Sequence, residues 1–290
     1  MKKYTPTYIK VILYAILIAI VVITLLPLLY AFSASFKTNF EIAGGSINLI
    51  PKEPTLDNIK TVWGMSGSTG FKKVTYADYT LNSLEISLAS VALVVVLTSL
   101  SAYCFQRGDF PGRKLIYWLF LGTMFVGAGS ITIFPIIQLT SAVGLNNKFG
   151  LVLVETATAG AANLFLTMGY LKTISKDLDE AAKLDGCSFF TTWLYIILPL
   201  SKPILATVAL MEFIATWNDY LIPMLMLNKH MESTTLIVAV TRLQSSGGAG
   251  SSQYNLMMAG AVLTMIPVLV LFLCMNKYFV AGMTAGAVKE

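Results

Sequence analysis

EAAKLDG, residues 180–186, sits between two apolar runs as a short, charged, glycine-ended stretch. It belongs to a longer segment, TISKDLDEAAKLDGCSFFTTWLYIILPLSKP (173–203), which has the marks of local helical structure. Asp177 is expected to cap a helix with Glu180 at its third position, a capping-box arrangement. LDEAAKL consists largely of strong helix formers, and Gly186 ends the run as glycine does at a left-handed C-cap. Phe189, Phe190 and Trp193 follow, aromatic residues suited to a membrane interface. Pro199 and Pro203 then break the chain again. The expectation is two short helices at an angle along the membrane surface, with Ala181 and Ala182 forming a close-approach patch beside a carboxylate. By helix chemistry alone, such an element either anchors a loop at the interface or docks a partner.

The rest of the chain says which membrane context applies. Of its 290 residues, 56% are hydrophobic and 12% charged, with mean hydropathy +0.73. Soluble domains carry about a quarter charged residues, so the chain reads as a polytopic all-α membrane protein. A net charge of +5 without a basic cluster excludes a nucleic-acid partner and reads instead as a topology signal. Cys104, Cys187 and Cys274 are too scattered for a disulfide framework or metal site, and the single histidine, His230, excludes a multi-histidine centre.

Six stretches are long and apolar enough to cross a bilayer, near 11–32, 84–105, 115–139, 150–171, 204–227 and 256–276. Lys2 and Lys3 before the first, and SAS (33–35) after it, resemble a signal peptide, but the apolar run is too long for one and reads as an uncleaved anchor kinked near Pro27. Placing both termini in the cytoplasm puts twelve of the twenty basic residues inside, three of them in RGDFPGRK (107–114). The expected layout is therefore N-in and C-in. It comprises a cytoplasmic N-terminus (1–10), a transmembrane domain (11–280) and a cytoplasmic tail (281–290). Within the domain, 33–80 and 228–255 are outer loops and 172–203 is an inner one. The second outer loop has a flexible centre, QSSGGAGSSQ (244–253).

Several motifs resemble one family in order along nearly the whole chain. EAA, then glycine after aspartate, then LP at 198–199 is similar to the coupling loop of permease subunits of ATP-binding-cassette (ABC) importers. PTLDNIKTVW (54–63), SLSAYCFQRGDFPGRK (99–114) and WNDYLIPMLML (217–227) resemble the PTLENY, AYAFARFRFPGR and WNDFLWPL segments of sugar permeases. The ending IPVLVLFLCMNKYFVAGMTAGAVKE (266–290) is similar to that of MalG-like carbohydrate permeases. Departures are mild: Ser175 where the family often has proline, Cys187 for alanine, and GAVKE for GAVKG. LNNKFG (145–150) and ETATAGAAN (155–163) fit less well.

The resemblance implies a cytoplasmic ATPase cleft into which the inner loop docks, with Glu180, Ala181, Ala182, Asp185, Gly186, Leu198 and Pro199 as the coupling residues. It further implies a MalF-like second permease, two cassette ATPase subunits, an extracellular solute-binding protein and a sugar, most simply an oligosaccharide, carried across a bacterial cytoplasmic membrane. No GxxxxGK[ST] occurs here, so no phosphate cradle belongs to this chain; ATP and Mg are expected on the partner, and no cofactor on this one. SSGGAGSSQ lies in a predicted outer loop without accompanying nucleotide motifs and reads as flexible linker. The 228–255 loop is a candidate contact for the binding protein, and MTAGAVKE (283–290) for the ATPase pair; each reads equally as a solvated connection.

Glu155, Glu212 and Asp219 fall within predicted spans, where charges are costly and face a bundle interior or a wet cavity. Glu212 and Asp219, seven apart, are expected on one face of the fifth span. With Asn163, Trp217 and Asn218 they could line a path for a sugar, whose hydroxyls pair with amides and carboxylates and whose rings stack on aromatics. Interhelical polar packing is the other reading. Two further functions stand beside an ABC permease. An ion-coupled secondary carrier would use the fifth-span carboxylates as a relay but leaves the EAA loop unexplained; the same machinery could also carry a non-sugar solute. An intramembrane enzyme is disfavoured, since no HExxH occurs and one histidine leaves few general-base arrangements.

Overall fold

The computed structural model describes residues 7–45, 47–69, 72–125, 129–228, 230–244 and 252–287. The basic start Lys2–Lys3, the loop centre 245–251 and the last three residues of the tail lie outside the described residues. The structure is mostly helical, as expected, with one small exception at a hairpin.

In chain order, α1 (Thr7–Ala34) is followed by two short helices, α2 (Asn39–Ala43) and α3 (Asp57–Trp63), and by the hairpin β1 (Ser66–Thr69) and β2 (Lys72–Thr75). The long α4 (Tyr76–Arg107) leads to α5 (Arg113–Phe125), a 3-10 turn (Gly129–Thr132), α6 (Ile133–Ala142) and α7 (Lys148–Leu171). The short α8 (Asp177–Leu184) and α9 (Phe189–Thr192) precede a π turn (Trp193–Ile197) and α10 (Leu198–Leu200). The chain then forms α11 (Lys202–Asn218), α12 (Leu221–Met226), a 3-10 turn (Met231–Ser233), α13 (Leu236–Leu243) and α14 (Tyr254–Ala287).

Among the described residues four helices are long and apolar enough to cross a membrane: Tyr8–Ala34, Tyr76–Arg107, Lys148–Leu171 and Tyr254–Cys274. Phe189–Leu200 and Lys202–Asn218, bent by 79° to each other, make a fifth if counted together. Two of the six expected stretches are therefore not single helices. The third, 115–139, is divided between α5 and α6. The fifth, 204–227, is broken at Asp219, whose backbone leaves the helical region and whose Oδ1 accepts from Leu221 N at 3.0 Å to start α12. Hydropathy sees only apolarity, and a polar side chain that turns the backbone interrupts a helix without changing it.

The structure divides into two compact units. One contains residues 1–66 and 239–266. Its α1 leaves nearly every apolar side chain exposed, as a helix solvated by lipid does. The segment that follows it is stitched together internally. Lys37 is 0% exposed: its ammonium donates to the Asn48 carbonyl, lies 3.8 Å from Glu41 and sits 5.1 Å above the Tyr30 ring. Asn58 donates to the carbonyls of Ser35 (2.9 Å) and Lys37 (2.8 Å) and accepts from Asn255 (2.7 Å). Asn39 accepts from Tyr254 N at 3.0 Å, so this segment fixes the start of α14.

The other unit contains residues 67–238 and 267–290. It is organised around α4, which packs along both α7 and α11. A capping box starts α4 eight residues before the expected span: Thr75 N donates to Asp78 Oδ2 at 2.8 Å and Asp78 N to Thr75 Oγ1 at 3.4 Å. Asn147 caps α7 by accepting from Gly150 N at 3.0 Å. Toward one end of α4 the core comprises Ala102, Tyr103, Leu164, Met168, Leu171, Trp193 and Ile197. A second cluster joins Ile86, Leu151, Val152, Met226 and Leu227.

Candidate functional site

The EAA stretch folds into α8, and its two faces differ in chemistry. Asp179 and Ala182, three residues apart, are buried; Glu180, Ala181, Lys183, Asp185 and Gly186 are exposed, and Leu184 is 90% exposed. Ala182 was expected to share an outer patch with Ala181. It is 2% exposed instead, because it lies on the same helix face as Asp179 and both turn toward the protein's own body. The outward surface is therefore Glu180, Ala181 and an unshielded leucine.

The start of α8 also differs from expectation. Asp177 is the first helical residue rather than the cap, and its N–H donates to Ser175 Oγ at 3.2 Å. The N-cap is Lys176, whose carbonyl accepts from Asp179 N (2.9 Å) and Glu180 N (3.1 Å), so no capping box forms. Asp177, Asp179 and Glu180 still place three carboxylates in the first turn, with Lys183 in the last, which complements the helix dipole. The end of α8 matches the expectation. Gly186 has φ +82°, its N–H bonds to Lys183 O (3.1 Å), and Cys187 N bonds to Ala182 O (2.9 Å), the two bonds of a Schellman motif.

Leu198 packs on the Trp193–Ile197 core, while Pro199 is exposed. The π turn immediately precedes Pro199, which has no N–H for the next rung of the helical ladder. Ser201 then closes the run by donating its hydroxyl to Ile197 O at 2.7 Å, and the chain bends into α11.

Sequence reasoning missed what holds α8 in place. Arg107, at the last residue of α4, forms a 2.8 Å ion pair with Asp179. Tyr103 donates its hydroxyl to the other oxygen of that carboxylate at 2.9 Å, and Arg107 Nη2 donates to Ile174 O at 2.6 Å. The Tyr103 ring also lies 4.4 Å from that of Phe189. Removing one partner of a buried pair like this costs about 3–5 kcal/mol. Beside it a cleft of about 240 Å³ is lined by Arg113, Lys176, Glu180 and Lys183. A signal for the clamp was present: adjacent carboxylates in a helix, Asp179 and Glu180, point about 100° apart, so an amphipathic helix must turn one of them inward.

The polar residues of the spans come together only in part. Glu155, Asn163, Glu212 and Trp217 are buried, Asp219 is half-buried and Asn218 is exposed. Asp219 lies beyond the end of α11, so the seven-residue spacing from Glu212 is not a helical register. It nevertheless comes within electrostatic reach of Glu155 of α7, as Glu212 does, and Glu155 Oε1 and Asp219 Oδ2 are each buried without a hydrogen-bond partner among the described residues. Glu212 accepts from Thr216 Oγ1 at 3.1 Å, and among the described residues no ion pair reaches any of the three carboxylates. Trp217 stacks on Phe213 with centroids 5.5 Å apart, and Asn218 donates to Ile214 O at 2.8 Å within its own helix.

Comparison with known proteins decides what this arrangement belongs to. The family described as binding-protein-dependent transport system inner membrane component matches residues 113–285. This chain belongs to that family. It is 35% identical to the galactooligosaccharides transport system permease protein GanQ of Bacillus subtilis, over 95% of this chain and 94% of that protein. It is 31% identical to the arabinooligosaccharides transport system permease protein AraQ of Halalkalibacterium halodurans (92% of each). With the trehalose transport system permease protein SugB of Mycobacterium tuberculosis it shares 32% identity over 91% of this chain and 92% of that one. Among solved structures, a bacterial ABC transporter that imports the acidic polysaccharide alginate shares its fold, with a TM-score of 0.77 at 24% identity over 96% of this chain and all of that one.

As an inner membrane component, this protein is a multi-pass membrane subunit and a transport component rather than a catalyst. Members of the family work with a solute-binding protein, another permease and an ATPase. An ion-coupled secondary carrier is thereby set aside.

Proposed function

We propose that this protein is one of two permease subunits of a sugar importer in a bacterial cytoplasmic membrane, driven by ATP hydrolysed on a separate ATPase pair. The exposed face of α8 carries the reading. A helix that presents Glu180, Ala181 and a 90% exposed Leu184 while burying Asp179 and Ala182 has a surface shaped for a partner. Glu180 pairs with a basic residue of the ATPase cleft. Ala181 permits close approach, Asp185 and Gly186 make the turn, and Ala182 packs behind. Leu198 and Pro199 hold the return path. ATP and Mg sit on the two ATPase subunits, and this chain binds no cofactor.

The pathway is shared with a MalF-like permease and is fed by an extracellular solute-binding protein. Galactooligosaccharides, arabinooligosaccharides and trehalose in the names of relatives favour a sugar, most simply an oligosaccharide. The relative UgpE, named for sn-glycerol-3-phosphate, keeps a non-sugar solute as the alternative. Glu155, Asn163, Glu212, Trp217, Asn218 and Asp219 supply the polar lining on this side of the path. Six crossings with both termini inside complete the layout, the broken third and fifth stretches each counting as one; the 228–255 loop faces the binding protein and the tail the ATPases.

The test is co-purification from the native host in mild detergent. The wild-type chain is expected to retain a cassette ATPase, and Glu180→Lys and Gly186→Pro to lose it. Retention of no ATPase by the wild type, or full retention by both variants, refutes the docking assignment.

A further inference from the structure

The docking face explains how α8 receives a displacement but not where that displacement goes. Along the chain, its downstream exit is compliant. It runs through the left-handed Gly186, a π turn at Trp193–Ile197 and a 79° bend before α11. The upstream link to α7 is the short 173–176 connection, and Arg107 of α4 holds its Ile174 carbonyl. Across space, α8 is held by the Arg107–Asp179 pair at 2.8 Å and by the Tyr103 hydroxyl on the same carboxylate at 2.9 Å. Among the described residues it is the ion pair that joins α8 to another helix. Tyr103 also packs in the core that contains Trp193 and Ile197, and touches Phe189, so one turn of α4 grips both sides of the Gly186 turn. A charged, buried, multiply bonded contact is stiffer than a glycine turn followed by a widened helix.

We propose that Arg107 and Tyr103 are positioning residues that carry the displacement of α8 directly into the membrane-spanning helix α4. This rests on the reading of α8 as the ATPase-docking element. Because α4 packs along both α7 and α11, a shift of its inner end moves the two helices that carry Glu155 and Glu212. Arg107 thus has a role beyond marking the cytoplasmic end of a span. Asp179 is the inward half of the acidic doublet whose outward half, Glu180, meets the partner.

The experiment uses the intact complex, with Cys104, Cys187 and Cys274 replaced by serine and a bimane fluorophore on Leu81→Cys, an exposed position near the far end of α4. Emission is compared without nucleotide and after ATP–vanadate trapping. The trapped state is expected to shift emission in the otherwise wild-type background. In Arg107→Gln and in Asp179→Asn most of that shift is lost. In both, the ATPase is still retained, because the outward residues Glu180 and Ala181 are unchanged. The reversed pair, Arg107→Asp with Asp179→Arg, recovers part of the shift, which assigns the effect to the pair rather than to either side chain alone. Tyr103→Phe removes one hydroxyl and gives an intermediate shift, so the proposal remains testable if the charge variants fold poorly. A shift that persists in the single variants, or is absent from the background, overturns the proposal. So does loss of the ATPase from them, as from Glu180→Lys, because the pair would then only shape the docking face. Absence of ATPase from the wild-type complex defeats the docking reading itself, a separate failure that takes this inference with it.

Discussion

Two glycines at helix ends make opposite demands. Gly186 has φ +82° but open space where a Cβ would stand. Gly186→Ala therefore costs only the left-handed conformation, about 1–2 kcal/mol. Gly186→Asn costs less, because asparagine tolerates that region. ATPase retention after detergent extraction should rank glycine, then asparagine, then alanine, with proline lowest; equal retention by alanine and proline would dissociate the turn from docking. Gly150 has ordinary dihedrals, but a Cβ there would lie 1.8 Å from the Leu145 carbonyl oxygen. Gly150→Ala must displace backbone and should cost at least the 1–3 kcal/mol of ordinary overpacking, read as a lower melting temperature in detergent. The first glycine was legible in the sequence, since LDG after a run of helix formers is a local signal. The second was not, because its constraint comes from the 145–147 turn folding back on α7. Lys37 was opaque for a similar reason: it looks like an ordinary outer-loop charge, and only the fold brings Tyr30, Glu41 and Asn48 around it. Lys37→Met leaves the Glu41 carboxylate buried without its counter-charge and should destabilise the outer segment by about 3–5 kcal/mol. The check is faster proteolysis of residues 33–55, with Lys37→Arg affected less.

At the scale of elements, apolar runs marked where helices lie, while polar side chains set where they stop. The expected spans at 11–32, 84–105, 150–171 and 256–276 each fall inside one helix. The boundaries moved where capping intervened: Thr75 and Asp78 begin α4 early, and Asp219 ends α11 and begins α12 within what looked like one span. That break has a consequence for the buried carboxyls. It frees Asp219 from helical register so that it reaches Glu155 across from α7. A glutamine at 155 offers Asp219 a donor, whereas leucine leaves that carboxylate facing an apolar group. Glu155→Gln should therefore keep near-native thermal stability, and Glu155→Leu should lose about 1–3 kcal/mol, the cost of an unsatisfied buried polar group. If the two variants melt alike, the Glu155–Asp219 contact holds nothing together. If both melt like wild type yet the complex no longer imports solute, the pair serves the path rather than the packing.

For the whole molecule, the sequence made the family legible because its motifs recur in order, and the family match over 113–285 agrees with them. Orientation is a separate physical question, decided by where basic residues are held during insertion. The connection between α4 and α5 carries Arg107, Arg113 and Lys114 within eight residues, the densest basic segment between two apolar helices. The 33–80 segment is longer and spreads Lys37, Lys52, Lys60, Lys72 and Lys73 along its length. Spread this thinly, those lysines compete weakly with the 107–114 cluster, and the cluster should stay in the cytoplasm. The same side must hold α8, since Arg107 grips Asp179, and an ATP-driven partner can reach α8 only there. Fusing a reporter that folds only in the cytoplasm after Lys114 should give signal, and fusing alkaline phosphatase, active only outside, after Lys60 should give activity. Replacing Arg113 and Lys114 with glutamine should weaken this partition, measured as rising phosphatase activity at the 114 fusion. Phosphatase activity at 114 with none at 60 in the unaltered chain would invert the topology and put α8 beyond the reach of any cytoplasmic ATPase.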